Sequence, residues 1–168
     1  EKEFEHYNPN SNNCSADLVR DSLMLINAYD NSILYTDYIL SSIIEHINRP
    51  NTVSAFMFVS DHGEEIAKGG AGHGGNCTPT IQEYHVPFIF WWSDSYRELY
   101  ADKVSNALSR QPAKLNGDNI YYTLCDLADI QLADQFNHPS WSVLSPSFEE
   151  HERLILVPDG VTFIHPDK

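Results

Sequence analysis

A short apolar run, Val53-Ser54-Ala55-Phe56-Met57-Phe58-Val59, stops abruptly at Ser60-Asp61-His62-Gly63-Glu64. A run so brief and so rich in β-formers reads as a buried strand. Its last residues put an acid and an imidazole at the strand's tip, and in open α/β sheets the carboxyl ends of strands are where ligands bind. Gly63 allows the backbone to turn away, while Glu64 and Glu65 add negative charge nearby. A second imidazole, His73, follows between Gly72 and Gly74, in a loop whose glycines permit close approach of backbone and ligand. Asp61, His62 and His73 are oxygen and nitrogen donors of the kind that bind zinc. The stretch reads as part of a metal-dependent active site, and only part of one.

Composition limits the class. The chain has 168 residues, 42% of them hydrophobic, which suits one globular domain with a real core. No apolar run reaches the length of a membrane-spanning helix. The charged start, Glu1-Lys2-Glu3-Phe4-Glu5, is not a signal peptide, which says nothing about compartment if the chain is a fragment. A formal net charge of −14 argues against nucleic acid or anionic lipid as partners. It suits a divalent ion or a cationic head group, although an acidic surface most often serves solubility alone. Three cysteines, Cys14, Cys77 and Cys125, lack metal-type spacing. Cys125 falls in a helical pattern and is expected in the core. Cys14 and Cys77 lie in polar loops, where pairing with each other or with a partner elsewhere both stay open.

The organisation is α/β. Ser15 suits a helix N-cap, and Leu18, Leu25, Ile26, Tyr29, Ile33, Ile39, Ile43 and Ile47 recur at helical spacing until Asn48-Arg49-Pro50. The spacing predicts one long helix, or two with a slight break. Strands are expected over 53–60 and 86–92, helices near 95–110 and 118–129, and a terminal hairpin around Pro158-Asp159-Gly160. Neither strand alternates cleanly, which suggests burial on both faces, as in a parallel sheet.

Several blocks together carry a family resemblance. They are Asn27-Ala28-Tyr29-Asp30-Asn31-Ser32-Ile33-Leu34-Tyr35-Thr36-Asp37-Tyr38, Val59-Ser60-Asp61-His62-Gly63-Glu64-Glu65, Gly72-His73, and Val86-Pro87-Phe88 with Trp91. In order and spacing the chain resembles the C-terminal half of the catalytic domain of the phosphoethanolamine transferases, in the sulfatase and alkaline-phosphatase superfamily. The glycine–histidine spacing is closest to the branch that modifies lipopolysaccharide core sugars. The resemblance implies a sulfatase-like α/β fold with a partly parallel sheet flanked by helices, here an incomplete domain spanning 1–168. It implies a two-step transfer in which a threonine attacks phosphatidylethanolamine, releasing diacylglycerol. The covalently held phosphoethanolamine then passes to a lipopolysaccharide or other envelope glycan acceptor. By family motif Asp61 and His62 are zinc ligands, and His73 holds the transferred phosphate or a second metal ion, so one zinc or two are implied. Glu64 and Glu65 correspond to no ligand of the family motif, and one of them is a candidate to orient His62. The implied location of the parent protein is the periplasmic face of the bacterial inner membrane.

The departures shape the expectations. The family's nucleophilic threonine, an early acidic zinc ligand and a further histidine belong upstream of Glu1, and Thr52, Thr78 and Thr80 lie in the wrong segments to replace the nucleophile. The chain by itself is therefore expected to be inactive, and stable only as an oligomer or beside its missing half. His85 reads as exposed or satisfied rather than as a ligand, and Trp91 and Trp92 read as packing residues. His6, His46, His138, His151 and His165 show no ligand spacing. Competing readings are a sulfatase, phosphodiesterase or phosphoglycerol transferase, and a non-catalytic domain that kept the fold. Three donors around one loop speak against the last.

Overall fold

The computed structural model describes residues 20–66, 80–156, 163–164 and 166. They fall into two compact units, one drawn from Glu1–Arg49 and Val59–Pro87 and the other from Pro50–Phe58 and Phe88–Lys168.

The first unit is led by α1, Arg20–Ile47, an unbroken helix of 28 residues with no internal glycine or proline. It ends where the sequence predicts, because Pro50 disfavours helical geometry in the residue before it. Asn48 N–H still donates to Ile44 O at 2.8 Å, and Arg49 Nε donates to the His46 carbonyl at 3.2 Å, occupying carbonyls that the helix end would leave open. The expected cap Ser15 lies outside the described residues. A single-turn helix, α2 (Ile81–Tyr84), was not anticipated. Its cap is local: Thr80 N–H donates to the Glu83 carboxylate at 3.2 Å, and Glu83 N–H donates back to Thr80 O at 3.1 Å.

The second unit holds the described core. Strand β1 (Ala55–Val59) pairs with β2 (Phe88–Trp92) in a two-stranded sheet. Both strands are shorter than expected: β1 starts after Ser54 and ends before Ser60, and β2 starts only after Pro87, which has no N–H for a ladder. Ser93 N–H donates to Ser54 O at 2.9 Å, Ser54 N–H to Ser93 Oγ at 3.0 Å, and Ser93 Oγ to Thr52 O at 2.9 Å. The end of β2 thus lies beside the start of β1, and the two run in opposite senses. The absence of alternation in β1 corresponds to five residues that are all half-buried, not to a parallel partner in this pair.

The helix expected over 95–110 is two helices, α3 (Asp94–Leu99) and α4 (Ala101–Ser109). Tyr100 separates them at φ −121°, ψ 43°, outside the helical region. Its ring lies 4.7 Å from that of Tyr96, and its hydroxyl reaches Asp129. Helix α5 (Gly117–Leu127) follows Asn116, whose side chain accepts the Asp118 N–H at 3.0 Å, as an N-cap does. Two 3₁₀ turns, Asp134–Phe136 and Pro139–Trp141, lead to β3 (Ile155–Leu156) and β4 (Phe163–Ile164). These pair antiparallel, Ile155 with Ile164 and Leu156 with Phe163, as the hairpin pattern predicts. The turn residues between them fall outside the described residues.

Trp92, Tyr96, Val104, Ala107, Leu127, Val143 and Leu144 form the core, with Met57 and Phe90 packed against it. The loop carrying Val143 and Leu144 is fixed by buried polar bonds. Thr123 Oγ1 accepts Val143 N–H at 3.1 Å, and Arg110 donates to the carbonyls of Val143 and Ser145 while its guanidinium lies over the Phe148 ring. Burial pushes the Arg110 pKa down from its ordinary value. Trp92 is buried and packs as expected, whereas Cys125 is half-buried on α5 instead of joining the core. No described helix is long and apolar enough to cross a membrane.

Candidate metal centre

Asp61 and His62 follow β1 directly, and short-range hydrogen bonds shape the turn they occupy. Ser60 Oγ donates to His62 O at 2.8 Å, and His62 N–H donates to Asp61 Oδ1 at 3.1 Å. Polar side chains that bond nearby backbone in this way stabilise turns over strand or helix. His62 Nδ1 lies 3.1 Å from Gly63 O. A carbonyl only accepts, so this contact places a proton on Nδ1, and in the neutral ring Nε2 is then the nitrogen with the lone pair. The carboxylate of Glu64 stands 3.8 Å from the same Nδ1. Nε2 in turn lies 3.8 Å from Asp61 Oδ2.

The arrangement suits a metal. Donors at zinc bond lengths and a tetrahedral angle stand about 3.3 Å apart, so the observed 3.8 Å requires a closure of roughly half an ångström. A ligating histidine characteristically gives its other ring N–H to a carbonyl or carboxylate, which fixes both tautomer and orientation. Gly63 O and Glu64 occupy that position around Nδ1. The Asp61 side chain is 89% exposed and that of His62 38%. Two donors make half a site. Among the described residues no group of three histidine, cysteine or carboxylate side chains is placed to hold an ion. His73 lies outside the described residues, as do Cys14, Cys77, Thr78 and Gly72.

The remaining expectations separate cleanly. His85 is exposed and Glu65 is buried, at 2% exposure. Sequence reasoning passed over α2, which is tied to the turn: Gly63 N–H donates to Glu83 O at 2.8 Å. The signal was present, since Thr80-Ile81-Gln82-Glu83 fits the Thr-x-x-Glu pattern of a helix start. The second unit contains a cleft of about 740 Å³ lined in part by Lys103, Cys125, Asp126, Asp129 and His138. None of the expected site residues lines it. Its charges engage one another: Lys103 Nζ lies 3.0 Å from both Asp126 Oδ1 and Asp129 Oδ1, and Ser142 Oγ donates to Asp126 Oδ2 at 2.7 Å. That network closes the C-terminal end of α5.

A strand tip with an Asp-His-Gly turn, inside a mixed α/β fold, defines the class. The sulfatase family model matches residues 1–130, and the chain belongs to that family. Within it, the chain is 29% identical over 152 residues to the phosphoethanolamine transferase EptC of Escherichia coli strain K12, covering 89% of this chain and 26% of that protein. It is 30% identical over 106 residues to the Kdo(2)-lipid A phosphoethanolamine 7''-transferase of the same strain, covering 61% of this chain and 18% of that protein. The crystal structure of the C-terminal periplasmic domain of E. coli EptC superposes with a TM-score of 0.79 at 26% identity, over 99% of this chain and 47% of that domain. The same domain in complex with zinc gives a TM-score of 0.73 at 26% identity, over 99% of this chain and 46% of that one. The sulfatase-like fold read in the sequence is thereby established. The chain spans about half of the solved domain and about a quarter of the full-length EptC.

Proposed function

We propose that these 168 residues are the C-terminal part of the catalytic domain of a zinc-dependent phosphoethanolamine transferase. The observation that carries the reading is the convergence of Asp61 Oδ2 and His62 Nε2 at 3.8 Å, with the His62 proton held on Nδ1. Its support is the likeness to a domain crystallised with zinc. In this reading Asp61 and His62 ligate one zinc, and His73 holds the transferred phosphate or recruits a second ion. When bound, zinc lowers the pKa of an attacking hydroxyl and neutralises charge on the phosphoryl oxygens. The part played by this chain is to present the Asp61 carboxylate and the His62 imidazole side by side, with the ring oriented through Nδ1.

The donor is phosphatidylethanolamine, and the group is held on a threonine that the rest of the polypeptide supplies before it passes to the acceptor. The acceptor is a lipopolysaccharide or related envelope glycan, supported by the likeness to a Kdo(2)-lipid A transferase. The location is the periplasmic face of the inner membrane, supported by the likeness to periplasmic domains. The chain's structural partner is the remainder of its own domain or, without it, a second copy.

Zinc titration of the polypeptide by calorimetry, beside the double substitution Asp61→Ala, His62→Ala, tests the site, and the same samples are assayed for turnover of a phosphoethanolamine donor. The expected outcome is zinc binding that the substitution abolishes, with no turnover by the 168-residue chain alone. Unchanged zinc affinity in the double variant would overturn the metal assignment, and turnover by the short chain would overturn the external nucleophile.

A further inference from the structure

Gly63 stands between two elements that sequence reasoning does not connect. Its N–H donates to Glu83 O of α2 at 2.8 Å, and its carbonyl is the group 3.1 Å from His62 Nδ1. A Cβ built on Gly63 would lie 1.9 Å from the backbone oxygen of Gln82 and 3.1 Å from its carbonyl carbon. The obstacle is main chain, so it cannot rotate aside. The α-carbon of Gly63 is pressed against the peptide that joins Gln82 to Glu83.

We infer that Gly63 is a positioning residue for the Asp61–His62 donor pair, and that α2 is its anchor. The geometry forms a relay: the α2 carbonyl holds the Gly63 amide, the Gly63 carbonyl holds the His62 ring, and the ring presents Nε2 toward Asp61. The anchor itself is fixed by Glu83, which is 6% exposed and whose carboxylate closes the first turn of α2 on Thr80 N–H. Any side chain at position 63 must push α2 away or swing the carbonyl that orients the imidazole. Groups that hold a ligating histidine commonly set metal affinity by ten- to a hundredfold (roughly, across characterised sites). This inference rests on the zinc reading above and adds to it a role for Gly63, α2 and Glu83.

The test uses the full polypeptide that carries these residues and zinc alone as the probe. Gly63→Ala and Glu83→Ala are each expected to weaken zinc binding about tenfold or more, with a lower melting temperature of the zinc-free protein because each displaces α2. Glu83→Gln keeps an acceptor for Thr80 N–H and is expected to restore wild-type affinity. Wild-type zinc affinity in Gly63→Ala, or an equal loss of affinity in Asn116→Ala, which removes the α5 cap and leaves the turn untouched, would overturn the inference. Asp61→Ala, His62→Ala is run in parallel. If that variant also binds zinc normally, the metal reading itself has failed; if it does not, only the positioning role has.

Discussion

At the scale of single residues, Lys103 shows how strongly one side chain can organise an element end. Its ammonium donates to Asp126 O at 2.6 Å and Asp129 Oδ1 at 3.0 Å and sits 4.9 Å over the Tyr100 ring. A cation at this place also suits the negative end of the α5 dipole. Burial pulls the Lys103 pKa down, but the hydrogen bonds to Asp129 and Asp126 outweigh it, and the net shift is upward. Hydrogen bonding and then charge from Lys103 hold the Asp129 carboxyl below its ordinary value. A depressed carboxyl contributes stability above its unfolded pKa of 3.8 that is lost as pH falls through the folded value. A raised ammonium contributes stability below its unfolded pKa of 10.5 that is lost as pH rises through the folded value. Lys103→Met is therefore expected to lower stability by about 1–2 kcal/mol near neutral pH. The difference from wild type should shrink toward both acid and strong base. Urea unfolding across pH measures it, and a pH-independent difference would contradict the ion-pair account.

Elements here begin and end on short polar signals. Asn116 caps α5 by accepting Asp118 N–H, and Asn119 Oδ1 returns the favour to Asn116 N–H at 2.8 Å. The Asn119 amide then reaches Trp141 O at 2.7 Å, so the helix start and the following 3₁₀ turn share one residue. Asn116→Ala is expected to cost about 1 kcal/mol, seen as faster hydrogen exchange confined to the first turn of α5. Uniform acceleration through the second unit would mean that the cap supports the whole unit. Such signals explain which boundaries were legible. The C-terminal end of α1 and the start of α5 follow Pro50 and Asn116, whereas the break at Tyr100 has no proline or glycine to announce it. At that break the Tyr100 hydroxyl meets Asp129, 29 residues away in sequence.

For the molecule as a whole, α1 is the informative element. A helix turns about 100° per residue, which gathers Met24, Leu25, Ile39 and Ile43 on one flank and Asp30, Asp37 and Glu45 on the opposite one. The four apolar residues are 38–54% exposed, although the flank they share carries no charge among residues 23–47. An amphipathic helix whose apolar flank stays this exposed calls for a further surface to cover it. Relatives and solved neighbours extend well beyond the span matched here, which accords with that reading. The chain alone is expected to self-associate at high concentration, and Ile39→Gln with Ile43→Gln to reduce that association. Light scattering on size-exclusion fractions decides it, and a wild-type monomer at millimolar concentration would refute it.

The sequence by itself determined the α/β class, the long helix, both strands, the hairpin and the Asp61–His62 turn. Each of these is written in local chemistry: periodicity, β-rich runs, and residues whose side chains bond backbone one or two positions away. Only the tertiary structure decided that β1 and β2 run in opposite senses, that Lys103 closes α5, and that α2 seats itself on Gly63. Those facts join residues 20 to 40 positions apart in sequence, as in Gly63 with Glu83 and Ser54 with Ser93. Contacts at such separations are fixed by packing and by the demand that buried backbone groups find partners, and neither is encoded in any short window of the chain.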